Sequence, residues 1–127
     1  MGRSNMANIL IIDDDQKECL SLRQLLEEKG HSISEANNKE LGLEIIHNNK
    51  IDYLFFNINM PDVNGFGFLT ELPESLVSKS IILTPEGSIA PLEFVMQLAN
   101  CKGTVGALKK PVKLEPLLKL MEHSLTA

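Results

Sequence analysis

Asn8-Ile-Leu-Ile-Ile12, followed at once by Asp13-Asp-Asp15, is the stretch whose reading decides the fold. An apolar, β-favouring run with no polar alternation suits a strand buried on both faces, as in a parallel sheet covered on each side. Three aspartates then stop it. Working outward, a helical pattern follows with Leu22, Leu25 and Leu26 facing inward, and Gly30 ends it as the residue just past the helix. His31-Ser-Ile-Ser-Glu35 alternates and is short, which reads as an exposed strand. Asn38 is placed to cap a second helix carrying Leu41, Ile45 and Ile46. Ile51 to Phe56 is another apolar run, stopping at Asn57, and Asn59-Met-Pro-Asp-Val-Asn-Gly65 is rich in turn residues. A short helix with Phe66, Phe68, Leu69 and Leu72 is expected to end at Pro73. Ile81-Ile-Leu83 is a third buried run, ending at Thr84. A helix from about Ser88 to Asn100 follows, with Pro91 tolerable in its first turn. Thr104 to Lys109 reads as a weaker strand closed by Lys110-Pro111, and a last helix from about Leu114 to Leu125 holds Pro116 in its first turn.

The order is β-α repeated five times, which implies parallel pairing, right-handed crossovers and helices on both faces. The three apolar runs belong at the centre of the sheet. At 127 residues the chain reads as one domain. A chain of that size buries roughly 65–70% of its unfolded surface without a disulfide or metal staple. Residues 1–7 read as a leader or tag-like segment and 8–127 as the domain. With 43% hydrophobic and 23% charged residues the composition excludes a disordered chain. A net charge of −5 argues against nucleic acid or an anionic membrane as the main partner. Cys19 and Cys101 lie far apart and form no metal-ligand pair, so a reduced, cytoplasmic compartment is expected. No apolar run approaches the ~20 residues of a membrane span.

In such sheets the functional crevice lies outside the carboxyl ends of the strands. Strand one ends in Asp13, Asp14 and Asp15, strand three in Asn57, strand four in Thr84 and strand five in Lys110. Clustered carboxylates repel one another unless a cation joins them, and a hard divalent ion such as Mg²⁺ is the natural occupant. A lysine and a hydroxyl beside them suit the oxygens of a phosphoryl group. Each residue also has a plainer reading. The aspartates could be a helix cap, Asp15 being best placed for it. Asn57 could be a hydrogen-bonding residue at a strand end, Thr84 an ordinary β-branched strand residue, and Lys110 the ion-pair partner of Asp13 or Asp14. His31, His47 and His123 have no partner spacing and read as surface residues.

Four motifs carry a resemblance: Ile-Leu-Ile-Ile-Asp-Asp-Asp at 9–15, Asn57-x-Asn-Met-Pro-x-x-x-Gly at 57–65, Ile-Ile-Leu-Thr at 81–84, and Lys110-Pro111. In that order the chain resembles a bacterial response-regulator receiver domain over residues 8–125. The resemblance implies a flavodoxin-like doubly wound α/β fold, with a five-stranded parallel sheet in the order 2-1-3-4-5 and helices on both faces. It implies Mg²⁺ held by Asp13, Asp14 and the backbone carbonyl of Asn59, and Thr84 and Lys110 as contacts to phosphoryl oxygens. It also implies a cis Lys110-Pro111 bond and structural roles for Pro61, Gly65 and Pro111, with Gly65 ending its loop at positive φ.

The departures from the family carry more information than the matches. The phosphoacceptor of a receiver is an aspartate where this chain has Asn57, and a neutral amide cannot serve as the nucleophile that forms an acyl phosphate. The strand-five aromatic of receivers falls at Ala107, which cannot act as a rotamer switch. The segment between Thr84 and Lys110 is longer than usual. Its helix carries two apolar stripes, Ile89, Leu92, Val95, Met96 and Ala99 on one and Phe94, Leu98 and Cys101 on the other, where one would suffice. That wide arc is either extra core or a partner face, with Ile89, Leu92, Phe94, Val95 and Met96 as its candidates. The expected function is a pseudo-receiver in two-component phosphorelay signalling, not an enzyme, acting through protein contacts without phosphate. The partner would be a histidine kinase, another signalling protein, or a second copy through helix four, strand five and helix five. Neither nucleic acid nor membrane is expected, and Mg²⁺ would bind weakly. An alternative is an active receiver carrying an engineered Asp-to-Asn change at position 57. A remote one is a flavodoxin-like enzyme or cofactor binder, disfavoured by the lack of a Gly-rich phosphate loop, the absence of Trp and the single Tyr.

Overall fold

The computed structural model describes residues 6–63, 65–85 and 92–126, with the side chains of 65, 66, 94 and 123–126 not described. Strands β1 (Asn8–Ile12), β2 (Ser32–Ala36), β3 (Tyr53–Asn57), β4 (Ser80–Thr84) and β5 (Gly106–Lys109) form one parallel sheet in the order β2-β1-β3-β4-β5. Between them run α1 (Gln16–Glu28), α2 (Lys39–Asn48), a 3₁₀ helix (Gly65–Glu71), α3 (Glu74–Val77) and α4 (Leu92–Cys101), and α5 (Leu114–Thr126) closes the chain. β3 and β4 are buried at every position, whereas edge strand β2 is buried only at Ala36.

Period-two alternation splits the strand residues between two cores. Leu10, Ile12, Leu54, Phe56, Ile82 and Ala107 face one side, where the 3₁₀ helix, α3 and α4 supply Phe68, Leu76, Val95 and Ala99. Ile9, Ile11, Phe55, Ile81, Leu83 and Leu108 face the other, against Cys19, Leu22 and Leu26 of α1 and Leu117 and Met121 of α5. Phe56 and Phe68 meet edge to face with centroids 5.1 Å apart. α2 approaches β1 closely because Gly42 has no side chain: a Cβ there would collide with Ile12.

Local chemistry sets the helix ends. Asp15 caps α1, its carboxylate accepting from the backbone N–H of Lys17 and Glu18, and Asn38 caps α2 through the N–H of Leu41 at 2.8 Å. Gly30, at φ +92°, closes α1 in a Schellman arrangement: its N–H donates to the carbonyl of Glu27, and that of His31 to Leu26.

Several expectations change. Phe68, Leu69 and Leu72 do not lie on an α-helix ending at Pro73; Phe68 and Leu69 sit on the 3₁₀ helix, and Pro73 stands at the N-cap of α3. Proline has no N–H to lose at a helix start, so there it begins a helix as readily as it ends one. β5 begins at Gly106, because Thr104 instead donates its hydroxyl to the carbonyl of Ala99 and finishes α4. Described residues of the fourth helix begin at Leu92; Ser88, Ile89 and Pro91 lie outside the described residues, as does Asn64. His31 is not a surface residue: it is half-buried, and its Nδ1 accepts from the N–H of Ala7 at 3.1 Å. Ala7 also accepts through its carbonyl from the N–H of Ser32, so the chain pairs with the start of β2 just before β1 begins. His47 is exposed, and the side chain of His123 lies outside the described residues.

Candidate functional site

The parallel sheet brings the carboxyl ends of β1, β3, β4 and β5 together, and with them Asp13, Asp14, Asn57, Thr84 and Lys110. Asp13 is buried, and its backbone N–H extends the β1–β2 ladder to the carbonyl of Ala36. Its Oδ2 meets Lys110 Nζ at 2.7 Å, both side chains being almost fully buried. Its Oδ1 accepts from Asn57 Nδ2 at 3.1 Å and from the N–H of Asp15 at 3.0 Å. Asp14 is exposed, with its Oδ1 3.5 Å from the same Asn57 nitrogen. The N–H of Lys110 donates to the carbonyl of Thr84 at 2.8 Å, joining the ends of β4 and β5, and the Lys110-Pro111 bond is cis.

Removing a carboxylate and an ammonium from water costs several kcal/mol per ion, which close pairing offsets only when further hydrogen bonds complete both groups. Asp13 meets that condition with one ammonium, one amide and one backbone donor. Among the described residues no buried side-chain nitrogen or oxygen lacks a partner.

Asn57 is held in one orientation. Its Oδ1 accepts from the N–H of Asn59 at 2.9 Å, while its Nδ2 faces both aspartates. A flipped amide would set nitrogen against the Asn59 N–H and oxygen against two carboxylates, losing every hydrogen bond. The amide therefore presents a donor where a bound cation would need an oxygen. With Lys110 on Asp13 as well, this arrangement does not fit a resident Mg²⁺.

Asn59 and Pro61 lie exposed on the loop after β3, and Gly65 opens the 3₁₀ helix. Two contacts holding that loop carried no sequence signal, because they join residues 23 and 32 positions apart: Asp62 accepts from the N–H of Lys39, and Lys39 Nζ lies 3.2 Å from Glu71. On α4, Val95 is not part of an exposed face. It is buried against the sheet, because α4 turns the Val95 and Ala99 stripe inward. Leu92 is half-buried and Met96 exposed, while Ile89 and the side chain of Phe94 lie outside the described residues. Cys19 is inert, its thiol pushed up to about 12 chiefly by burial and then by Glu35.

The family model for the response regulator receiver domain matches residues 9–122. Protein PilH of Pseudomonas aeruginosa is 34% identical over 117 residues, covering 90% of this chain and 93% of PilH. The nitrate/nitrite response regulator NarL of Escherichia coli is 29% identical over 126 residues, 98% of this chain but 57% of NarL. The crystal structure of a two-component response regulator from Clostridium difficile superimposes with a TM-score of 0.76 at 30% identity, covering 94% of this chain and 96% of that one.

Proposed function

This chain belongs to the response regulator receiver domain family, and from that premise we propose that it signals by protein contact and accepts no phosphoryl group at Asn57. The observation that carries the reading is the Asn57 amide, whose nitrogen donates to Asp13 and Asp14 while its oxygen is held by the Asn59 N–H. A carboxylate nucleophile is missing, and the position it would occupy is filled by a donor. In this reading Thr84 and Lys110 keep family positions without family work: Lys110 neutralises Asp13, and Thr84 ties the end of β4 to β5 through its backbone. Mg²⁺ binds weakly, since it must displace the Asn57 amide from Asp13 and Asp14 and compete with Lys110. The chain performs no catalysis of its own, and its partner is a histidine kinase, another signalling protein or a second copy meeting the α4–β5–α5 side.

Incubation with acetyl phosphate and Mg²⁺, followed by intact-mass measurement, tests the reading. The protein should gain no phosphoryl mass, and Asn57→Asp should gain one, because Asp13, Asp14, Thr84 and Lys110 are in place around it. Phosphorylation of the unaltered chain would overturn the proposal.

A further inference from the structure

We propose that the groove at the amino ends of the strands, lined by Lys29, His31, Lys50 and Lys79, binds an organic diphosphate. It lies at the end of the sheet opposite the aspartate crevice, so it stands independently of the reading given to Asn57. Lys29 precedes β2, Lys50 precedes β3 and Lys79 precedes β4, and parallel pairing sets those three turns along one end of the sheet. The groove they share has a volume of about 940 Å³, the size of a small-ligand site. Helix C-termini favour a cation, which accounts for Lys29 at the α1 cap. That preference does not account for Lys79, which follows a helix of only four residues. Nor does it explain why all three lysines meet on one groove.

The groove is rich in donors. None of its three lysines forms a salt bridge among the described residues, and Lys79 Nζ stands 5.4 Å from the centroid of the Tyr53 ring. His31 adds a neutral donor: with Nδ1 accepting from the Ala7 N–H, the proton of the neutral ring sits on Nε2. Two carboxylates line the same groove without pairing with a lysine. Asp52 accepts from the Asn8 N–H at 2.8 Å, and Glu122 lies exposed on α5. Lysine binds phosphate as a point charge, whereas bidentate capture of a carboxylate favours arginine, and no arginine lines the groove. Ammonium groups carried on three separate turns suit an anion whose charge is spread over two phosphates. Ile51, Leu76 and Leu118 line the same groove and offer apolar contact to the organic part of the ligand.

The test uses the full chain labelled with ¹⁵N, in EDTA, titrated with ADP and separately with inorganic pyrophosphate. Amides of Lys29, His31, Lys50 and Lys79 should shift with both, and those of Asp13, Asn57 and Lys110 with neither. ADP should bind more tightly than pyrophosphate, because its nucleoside meets the apolar wall. Lys29→Glu with Lys50→Glu changes only exposed positions, and it should weaken ADP binding about tenfold or more, as loss of charge-assisted contacts does. It should also flatten the salt dependence of what binding remains. Lys113→Glu with Lys119→Glu makes the same charge change at exposed positions outside the groove and should leave affinity unchanged. Equal weakening by the two double variants would reduce the effect to net charge and overturn the proposal. Shifts confined to the aspartate crevice, no binding at millimolar ADP, or pyrophosphate binding as tightly as ADP would each overturn it too. So would binding to phosphatidylglycerol vesicles without binding to ADP, which would assign the lysines to a lipid surface.

Discussion

Asn57 takes over the part a cation plays among clustered carboxylates. Its nitrogen donates to Asp13 and reaches Asp14, and its oxygen is held by the backbone two residues on. Replacing it by aspartate puts a third carboxylate beside the other two and removes both donors at once. Asn57→Asp should therefore be less stable than the unaltered chain in EDTA, by about 1–3 kcal/mol, the range for a buried polar group losing its hydrogen bond. Millimolar Mg²⁺ should narrow that gap, because the ion binds the folded aspartate variant better and stabilises it by mass action. Denaturant midpoints of both proteins, with EDTA and then with Mg²⁺, measure this. Equal midpoints in EDTA would mean that the carboxylates of β1 and β3 do not interact.

At the scale of elements, the junction of β1 and β2 carries the clearest pH dependence. His31 accepts the Ala7 N–H through Nδ1, so only a ring unprotonated at that nitrogen can make the bond, and burial lowers its pKa below the usual 6.5. Lys29, Lys50, Asp52, Lys79 and Glu122 line the same groove around it. A depressed histidine pKa means that the unfolded chain binds the proton more readily than the folded one. The stabilising contribution is thus complete above 6.5 and is lost as pH falls through the folded value. NMR titration should show His31 protonating at lower pH than exposed His47, with the Ala7 amide shifting in step with His31. His31→Gln should lose less stability than the unaltered chain between neutral pH and about pH 5.5. A His31 that titrates alongside His47 would contradict this account of the junction.

For the whole molecule, two cores on opposite faces of one sheet position the crevice. α1 and α5 cover one face, α4 with α3 and the 3₁₀ helix cover the other, and the Asp13–Lys110 pair joins β1 to the end of β5 across the sheet. If the Asn57 amide and Lys110 already satisfy Asp13, added Mg²⁺ has little differential affinity for the folded state. The melting temperature in millimolar Mg²⁺ should then lie within about 2 °C of that in EDTA. Asn57→Asp, tested beside it, should rise by more. A large rise for the unaltered chain would show that the ion displaces the amide with little cost.

What the sequence by itself determined follows short-range rules. Apolar runs at 9–12, 53–56 and 81–83 mark strands buried on two faces, Asp15 and Asn38 mark helix starts, and Gly30 marks a helix end, because burial periodicity and end-capping act within a few residues. The strand order and the shared crevice of Asp13, Asn57, Thr84 and Lys110 were legible from the same runs read beside the receiver motifs. Tertiary structure alone decided which donor meets which acceptor. That Asn57 turns its nitrogen toward Asp13 depends on the Asn59 N–H, that Lys110 chooses Asp13 over Asp14 depends on which carboxylate is buried, and that His31 has a partner depends on Ala7 lying beside it. Val95 fell inside rather than on a partner face for a related reason. Two apolar stripes on one helix look alike in sequence, and only the angle at which α4 meets the sheet selects the one that is buried.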